Sequence, residues 1–334
     1  MGRQEEKGNL MNILPPGLKD SIFCYTSISG RDAHQGKILL RGRTLDINFV
    51  ERPFLYNAKE LLQVSQINSI HFRSFDSSFF QSEINCHSYS LCKYLLEISA
   101  HEEAGLFDTQ PEDLKIFYWA LLNEVWNGIE FQISKLESIE LETFNSVSNL
   151  YIEHGLNCST FTARVSSSSL PNKTDPIIAA ILAFRGDIHG RAVVKTMEML
   201  EKLEGQKLED FIDKIIQRKQ KIMGFGHRIY QKEEDPRYSV ALNILTRLEQ
   251  AQMVNKRWSQ RIVELCEIVD KKMGLKPNLD IAVAPIFLNS KINRNLVLPI
   301  LIRGRMCGWM AHIIEQMQNN KIVRPSSIYT GPHE

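Results

Sequence analysis

The sequence predicts a mainly all-α fold, on three observations. Apolar residues recur at three-to-four-residue spacing along most of the chain, convincing alternating strands are scarce, and the longest apolar run, around Ile177 to Phe184, is too short to span a bilayer. A length of 334 residues, 43% hydrophobic and 24% charged, suits about two globular domains with a sizeable core.

Taken in order, Lys37-Ile38-Leu39-Leu40-Arg41-Gly42-Arg43 is short, partly β-branched and bounded by turn formers, which predicts a small strand or hairpin. Helices continue from Asn57 to Glu153, with polar breaks at Ser65 to Ser82 and near Pro111. Asp175 and Pro176 fit N-cap and first-turn positions before Ile177, Ile178, Ile181 and Leu182, and Gly186 supplies a stop. Further amphipathic patterns run through Val194 to Leu203, Phe211 to Ile216, Leu242 to Leu248 and Ile262 to Val269. No internal repeat or low-complexity tract interrupts them.

Lys plus Arg (40) nearly cancel Asp plus Glu (39), so no broad basic field argues for nucleic acid or an anionic membrane; any anion must be held locally. Six scattered cysteines without Cys-x-x-Cys pairs predict reduced, buried thiols and no metal site. Met1 to Glu6 lack an apolar signal core and a myristoylation pattern, which together with the thiols predicts a cytoplasmic protein.

The most informative stretch is Gly224-Phe225-Gly226-His227-Arg228-Ile229-Tyr230, followed by Asp235-Pro236-Arg237. The glycines permit positive φ and close approach to a ligand, and Pro236 stiffens the segment that aims Arg237. Arg237 suits a carboxylate and a neutral His227 suits a carbonyl oxygen, so a keto acid satisfies both. Four other places stand out: His154 opening a polar stretch, His189 in a glycine-flanked turn, Asp280 after Pro277, and Arg305 and Arg324 towards the C-terminus. Each also has an ordinary reading. His154 suits an interior histidine, His189 a helix-end cap, Asp280 a helix N-cap, and each arginine a surface charge.

Together and in this order, HGLNCSTFTARV, GDIHG, KIMGFGHRIYQKEEDPR, PNLD and RGRMCGWMAHIIEQ followed by VRPSSIYTG closely resemble citrate synthase, in its shorter bacterial type that includes 2-methylcitrate synthases. The resemblance covers residues 150 to 331 strongly. It implies a two-domain helical fold with the active site in the cleft: a large domain of residues 1–190 and 298–334, and a small mobile domain of residues 191–297. It further implies condensation of acetyl-CoA, or another short acyl-CoA, with oxaloacetate. In that reaction Asp280 is the base, His189 stabilises the enolate and His227 polarises the ketone, while His154, Arg237, Arg305 and Arg324 bind oxaloacetate. Coenzyme A enters as a thioester substrate and no cofactor or metal is implied. Arg324 is expected to reach into the partner's site of a homodimer.

Departures concentrate on the acyl-CoA side. Gly190-Arg191-Ala192-Val193 replaces the small-residue loop that follows the family's catalytic histidine, and Arg191 and Lys232 become the candidates for CoA phosphates; Lys232 reads equally as a solvated loop lysine. Ile281 and Ala282 replace an aromatic pair after the base, which predicts extra room there. Besides a working synthase, the sequence leaves open a synthase recruited to another acyl-CoA or keto acid, and a non-catalytic binding or regulatory protein.

Overall fold

The computed structural model describes residues 14–18, 21–32, 35–65, 88–102, 105–133, 136, 138–252, 258–290 and 292–332. Most of the expected polar break at Ser65 to Ser82, Cys86 and the N-terminal segment lie outside them. The predicted hairpin is part of a three-stranded antiparallel sheet, β1 (Ser29–Asp32), β2 (Lys37–Leu40) and β3 (Arg43–Thr44). Arg41 and Gly42 close the β2–β3 turn with φ of 48° and 81°, the pair of positive values that a tight two-residue turn requires.

Thirteen helices are described: α1 (Ile47–Val50), α2 (Phe54–Leu62), α3 (Ser88–Ser99), α4 (Pro111–Ile133), α5 (Ser138–Tyr151), α6 (Cys158–Ser167), α7 (Asp175–Phe184), α8 (Ala192–Leu203), α9 (Leu208–Gln217), α10 (Pro236–Gln250), α11 (Trp258–Met273), α12 (Leu279–Asn289) and α13 (Val297–Gln318). The predicted patterns fall on α7 to α11, with Leu200, Ile212, Leu245 and Leu265 on the buried faces. At α7 the N-cap is Thr174 rather than Asp175. Glu102 takes the Thr174 N–H and hydroxyl, and the Asp175 carboxylate accepts from Ser99 Oγ at 3.1 Å, so neither side chain caps its own helix.

The centre of the molecule is α13, packed by α2, α4, α5, α6 and α7. It corrects one expectation: the stretch Arg294–Gln318 is long and apolar enough to cross a membrane by composition. Its apolar window is 94% buried inside the protein, and a helix enclosed on every side must be apolar all round. The close approach of α5 depends on glycine. A Cβ at Gly304 would lie 2.5 Å from the Ser148 carbonyl oxygen, and one at Gly308 the same distance from that of Ile152.

The thiols are only partly as expected. Cys92 and Cys307 are buried, Cys24 and Cys266 are intermediate, and Cys158 is exposed because it begins α6 on the solvent side of the turn after Asn157.

A Gly304→Ala variant should lose about 1–3 kcal/mol of stability through overpacking against backbone, read as a lower denaturant midpoint.

Candidate active site

Two segments about 50 residues apart in sequence are tied together by backbone. Phe225 bridges Pro277, Gly226 N–H donates to the Lys276 carbonyl at 2.7 Å, and Asn278 N–H donates to the Gly224 carbonyl at 3.0 Å. Gly224 and Gly226 hold φ of 80° and 71°, as the motif predicts. Gly224, however, makes room for protein rather than ligand: a Cβ there would sit 2.8 Å from the Ile281 Cβ. Ile281 and Ala282 are fully buried, so their small size opens no space beside Asp280.

This pairing presents His227 and Asp280. The Ile229 N–H donates to His227 Nδ1 at 3.1 Å, so Nδ1 is an acceptor and the ring proton sits on Nε2. Burial and the nearby Arg237 charge lower the His227 pKa to about 4, leaving a neutral donor. His154 is buried, with Nε2 2.8 Å from the Tyr230 hydroxyl and its ring 5.2 Å from that of His227; burial and Arg237 push its pKa well down.

His189 lies in the turn after α7. Gly190 N–H donates to the Phe184 carbonyl at 2.8 Å, and a Cβ on Gly190 would strike the Phe184 ring. Ser159, in the first turn of α6, directs its backbone N–H at His189 Nε2 from 3.4 Å and its Oγ from 2.9 Å. A backbone donor cannot reverse its role, so Nε2 accepts and Nδ1 carries the proton. Trp309 Nε1 donates to Ser159 Oγ at 3.1 Å, which leaves the hydroxyl proton for His189 Nε2. Burial, then Arg305, lowers the His189 pKa to about 4.

Asp280 occupies the first turn of α12. The N-cap is Asn278, whose Oδ1 accepts from Asp280 N–H at 3.0 Å; Asp280 is therefore not the cap. Its carboxylate is partly open at the surface of the site, yet packed closely enough that burial raises its pKa to about 6, against the lowering effects of Tyr151 and Arg237. Tyr151 donates to Asp280 Oδ1 at 2.9 Å.

Two arginines complete the cluster. Arg237 is 5% exposed and folds back on Asp235, the N-cap of α10, with Nε and Nη2 at 3.0 and 2.6 Å from its oxygens. That pairing leaves its Nη1 edge for a ligand and holds Asp235 well below the usual carboxylate range. Arg305 is 3% exposed, and its Nε and Nη1 are buried without a partner. Buried donors in that state call for an anion. Nitrogens of His154 and His227 and an oxygen of Asp235 lie within 4.8 Å of one another, but Arg237 already neutralises Asp235, which disfavours a cation there.

Three expected residues stand apart. Arg324 is exposed in the extended segment after α13, where Val323 N–H donates to Ser168 Oγ. Lys232 is exposed beside Glu233, which pairs with Arg31 of β1. Arg191 is half-exposed and pairs with Asp187 at 3.4 Å, while Val193 is buried in the face of α8. Sequence reasoning gave no role to Tyr151, Tyr230, Asp235, Ser159 or Glu153. Only Asp235 carried a local signal, since Asp-Pro marks an N-cap and first-turn pair.

Residues 94–326 match the family model described as citrate synthase, C-terminal domain. The chain belongs to the citrate synthase family. It is 40% identical over 195 residues to citrate synthase 2 of Bacillus subtilis and 38% over 202 residues to the citrate/2-methylcitrate synthase of the same organism; each match covers 58% of this chain and 52% of the relative. With 2-methylcitrate synthase 2 of Corynebacterium glutamicum it shares 32% identity over 244 residues, 72% of this chain and 62% of the relative. The match thus spans about half the length of the first two relatives. Among solved structures, a Thermoplasma acidophilum citrate synthase in ternary complex with carboxymethyl coenzyme A and oxaloacetate superposes with a TM-score of 0.76 at 21% identity, covering 96% of each chain. The Thermotoga maritima enzyme gives 0.72 at 24% identity, covering 95% of this chain and 96% of its own. The all-α, citrate synthase fold expected from sequence is borne out.

Because the folded-state pKa of Asp280 lies above its unfolded value of 3.8, the fold binds a proton more tightly, and stability falls as pH rises from about 4 to about 6. Asp280→Asn should therefore be more stable than the native protein at pH 7, by about 1–2 kcal/mol after discounting for partial exposure, with the gain vanishing near pH 4. Denaturant midpoints measured across that range check the sign.

Proposed function

We propose that this protein condenses a short acyl-CoA with oxaloacetate to give citrate, or an alkylcitrate, and free CoA. One observation carries the reading: two neutral imidazoles, each with its free ring proton fixed by a backbone donor, share a site with a carboxylate of pKa about 6 and two buried arginines. A thioester's methyl protons are very weakly acidic, so a carboxylate removes one only if the enolate is stabilised at the same moment. Asp280 takes the proton while His189 Nδ1–H donates to the thioester oxygen. Being neutral, His189 stabilises the enolate through a hydrogen bond and holds its own proton. His227 Nε2–H donates to the ketone of oxaloacetate, making its carbon the electrophile for the enolate; as the carbon–carbon bond forms the carbonyl π bond opens, and the new alkoxide takes the Nε2 proton, which solvent then restores. His154, Arg237 and Arg305 hold the keto acid, and hydrolysis of the resulting thioester releases CoA.

The finer features follow the same reading. Residues 191–297 form a small domain that closes over a large domain of residues 1–190 and 298–334, excluding water during condensation. Arg324, too exposed to join its own site, completes the partner's site in a homodimer. Arg191 and Lys232 are the candidates for CoA phosphates. Two of the relatives described above are named for 2-methylcitrate, which makes propionyl-CoA the second acyl donor to assay.

Thiol release from acetyl-CoA or propionyl-CoA in the presence of oxaloacetate tests the reaction, and removing the base in Asp280→Ala should cost about 10²–10⁴-fold. A protein inert with both donors, or one whose rate survives the substitution, refutes the proposal. The rate should fall as pH drops through about 6, where Asp280 takes up a proton and ceases to be a base. Arg324→Ala should weaken oxaloacetate binding while leaving the dimer intact by sedimentation; unchanged affinity rules out the shared site.

A further inference from the structure

We propose that Tyr151 is a positioning residue for Asp280, its phenol holding Oδ1 so that Oδ2 is the oxygen presented to the carbon acid. The inference rests on Asp280 being the base, and deepens that reading.

Tyr151 is the last residue of α5 and Asp280 the second of α12, and their oxygens are 2.9 Å apart. The register is fixed two helical turns away. Phe144 of α5 stacks on Phe287 of α12 at 5.4 Å between ring centroids, and both pairs are seven residues apart along their own helices, on one face of each. Running in opposite directions, the helices can therefore meet at both places at once. From the other side, Asn278 Oδ1 ties down the Asp280 backbone N–H, so the carboxylate is held from its main chain and from one oxygen.

The charged and titratable groups facing the pair are Arg237 and Asp235 at the start of α10 and Arg305 of α13. Burial and Asp280 together keep the Tyr151 phenol protonated far above its ordinary range, so it is always the donor. A donor to the ionised carboxylate favours that form, opposing the burial that raises Asp280. Tyr151 thereby keeps the base ionised at neutral pH and selects which oxygen reacts.

Tyr151→Phe retains the ring and deletes the donor. Difference infrared titration of the Asp280 carboxyl, with Asp280→Asn in each background as the blank, should show its midpoint rising by about one to two pH units. The acid limb of kcat/KM for thiol release should move by the same amount, with oxaloacetate affinity changed less than twofold. Tyr151→3,5-difluorotyrosine, a stronger donor, should move both midpoints the other way. Midpoints that stay in place in both variants, or a loss of oxaloacetate affinity and thermal stability with no shift along the pH axis, would overturn the inference. If the native protein shows no turnover, the reaction reading fails, and the infrared midpoints alone support or overturn the pairing.

Discussion

The backbone pairing of Gly224-Phe225-Gly226 with Lys276-Pro277-Asn278 is the constraint on which the site depends. It fixes three things together. The loop turns into His227, Asp235 N–H reaches the Pro277 carbonyl at 3.3 Å and so places the N-terminus of α10 with Arg237, and Asn278 caps α12 and places Asp280. Asn278 Nδ2 adds a bond to the Gly226 carbonyl at 3.0 Å. A carboxylate, a neutral imidazole and a buried guanidinium thus share one rigid reference, although 53 residues separate His227 from Asp280. Catalytic geometry tolerates errors of well under about 1 Å, so a common backbone anchor matters more than any single side-chain contact.

In a protein of net charge +1, the candidate anion site is built by burying charge rather than accumulating it. Arg237 is balanced by Asp235, while Arg305 sits near Glu153, whose Oε2 is buried without a partner. Glu153 in turn meets His312 at 3.2 Å, and His312 Nδ1 accepts from Arg164, which pairs with Glu315. This chain of buried polar groups links the site to Ser27 and Ser29 of the N-terminal segment. Burial, together with the positive field this leaves at the centre, keeps His154, His189 and His227 neutral.

Helix positions and the order of the motifs were legible in the sequence because both are local. The three-to-four-residue period places α7 to α11, and glycines with positive φ mark the 224–226 turn before any contact is known. What escaped was long-range. Tyr151 and Tyr230 are spaced like core aromatics, and only the fold brings their hydroxyls to Asp280 and His154, 129 and 76 residues away. Ile281 illustrates the opposite error. Its small size relative to an aromatic suggests a vacancy, but the space is filled from the other side by the approach of Gly224. The apolar length of α13 was likewise missed, because its arginines break the run in sequence while lying buried in the folded protein.

The two halves of the site differ in the way they are built. The half proposed for the keto acid consists of side chains held from several directions, and their pKa values are strongly displaced, as fixed and desolvated groups should be. The candidate CoA contacts, Arg191 and Lys232, are exposed charges on a helix start and a loop, one paired with Asp187 and the other beside Glu233. Such charges attract a phosphate through a screened field and let it find its own position. A small dianion whose carbonyl must be attacked from one direction needs the first construction. The far end of a long thioester needs only the second, because in the proposed reaction its reacting carbon is positioned by His189 and Asp280. Divergence can therefore accumulate around Arg191 while the geometry around Arg237 and Arg305 stays fixed.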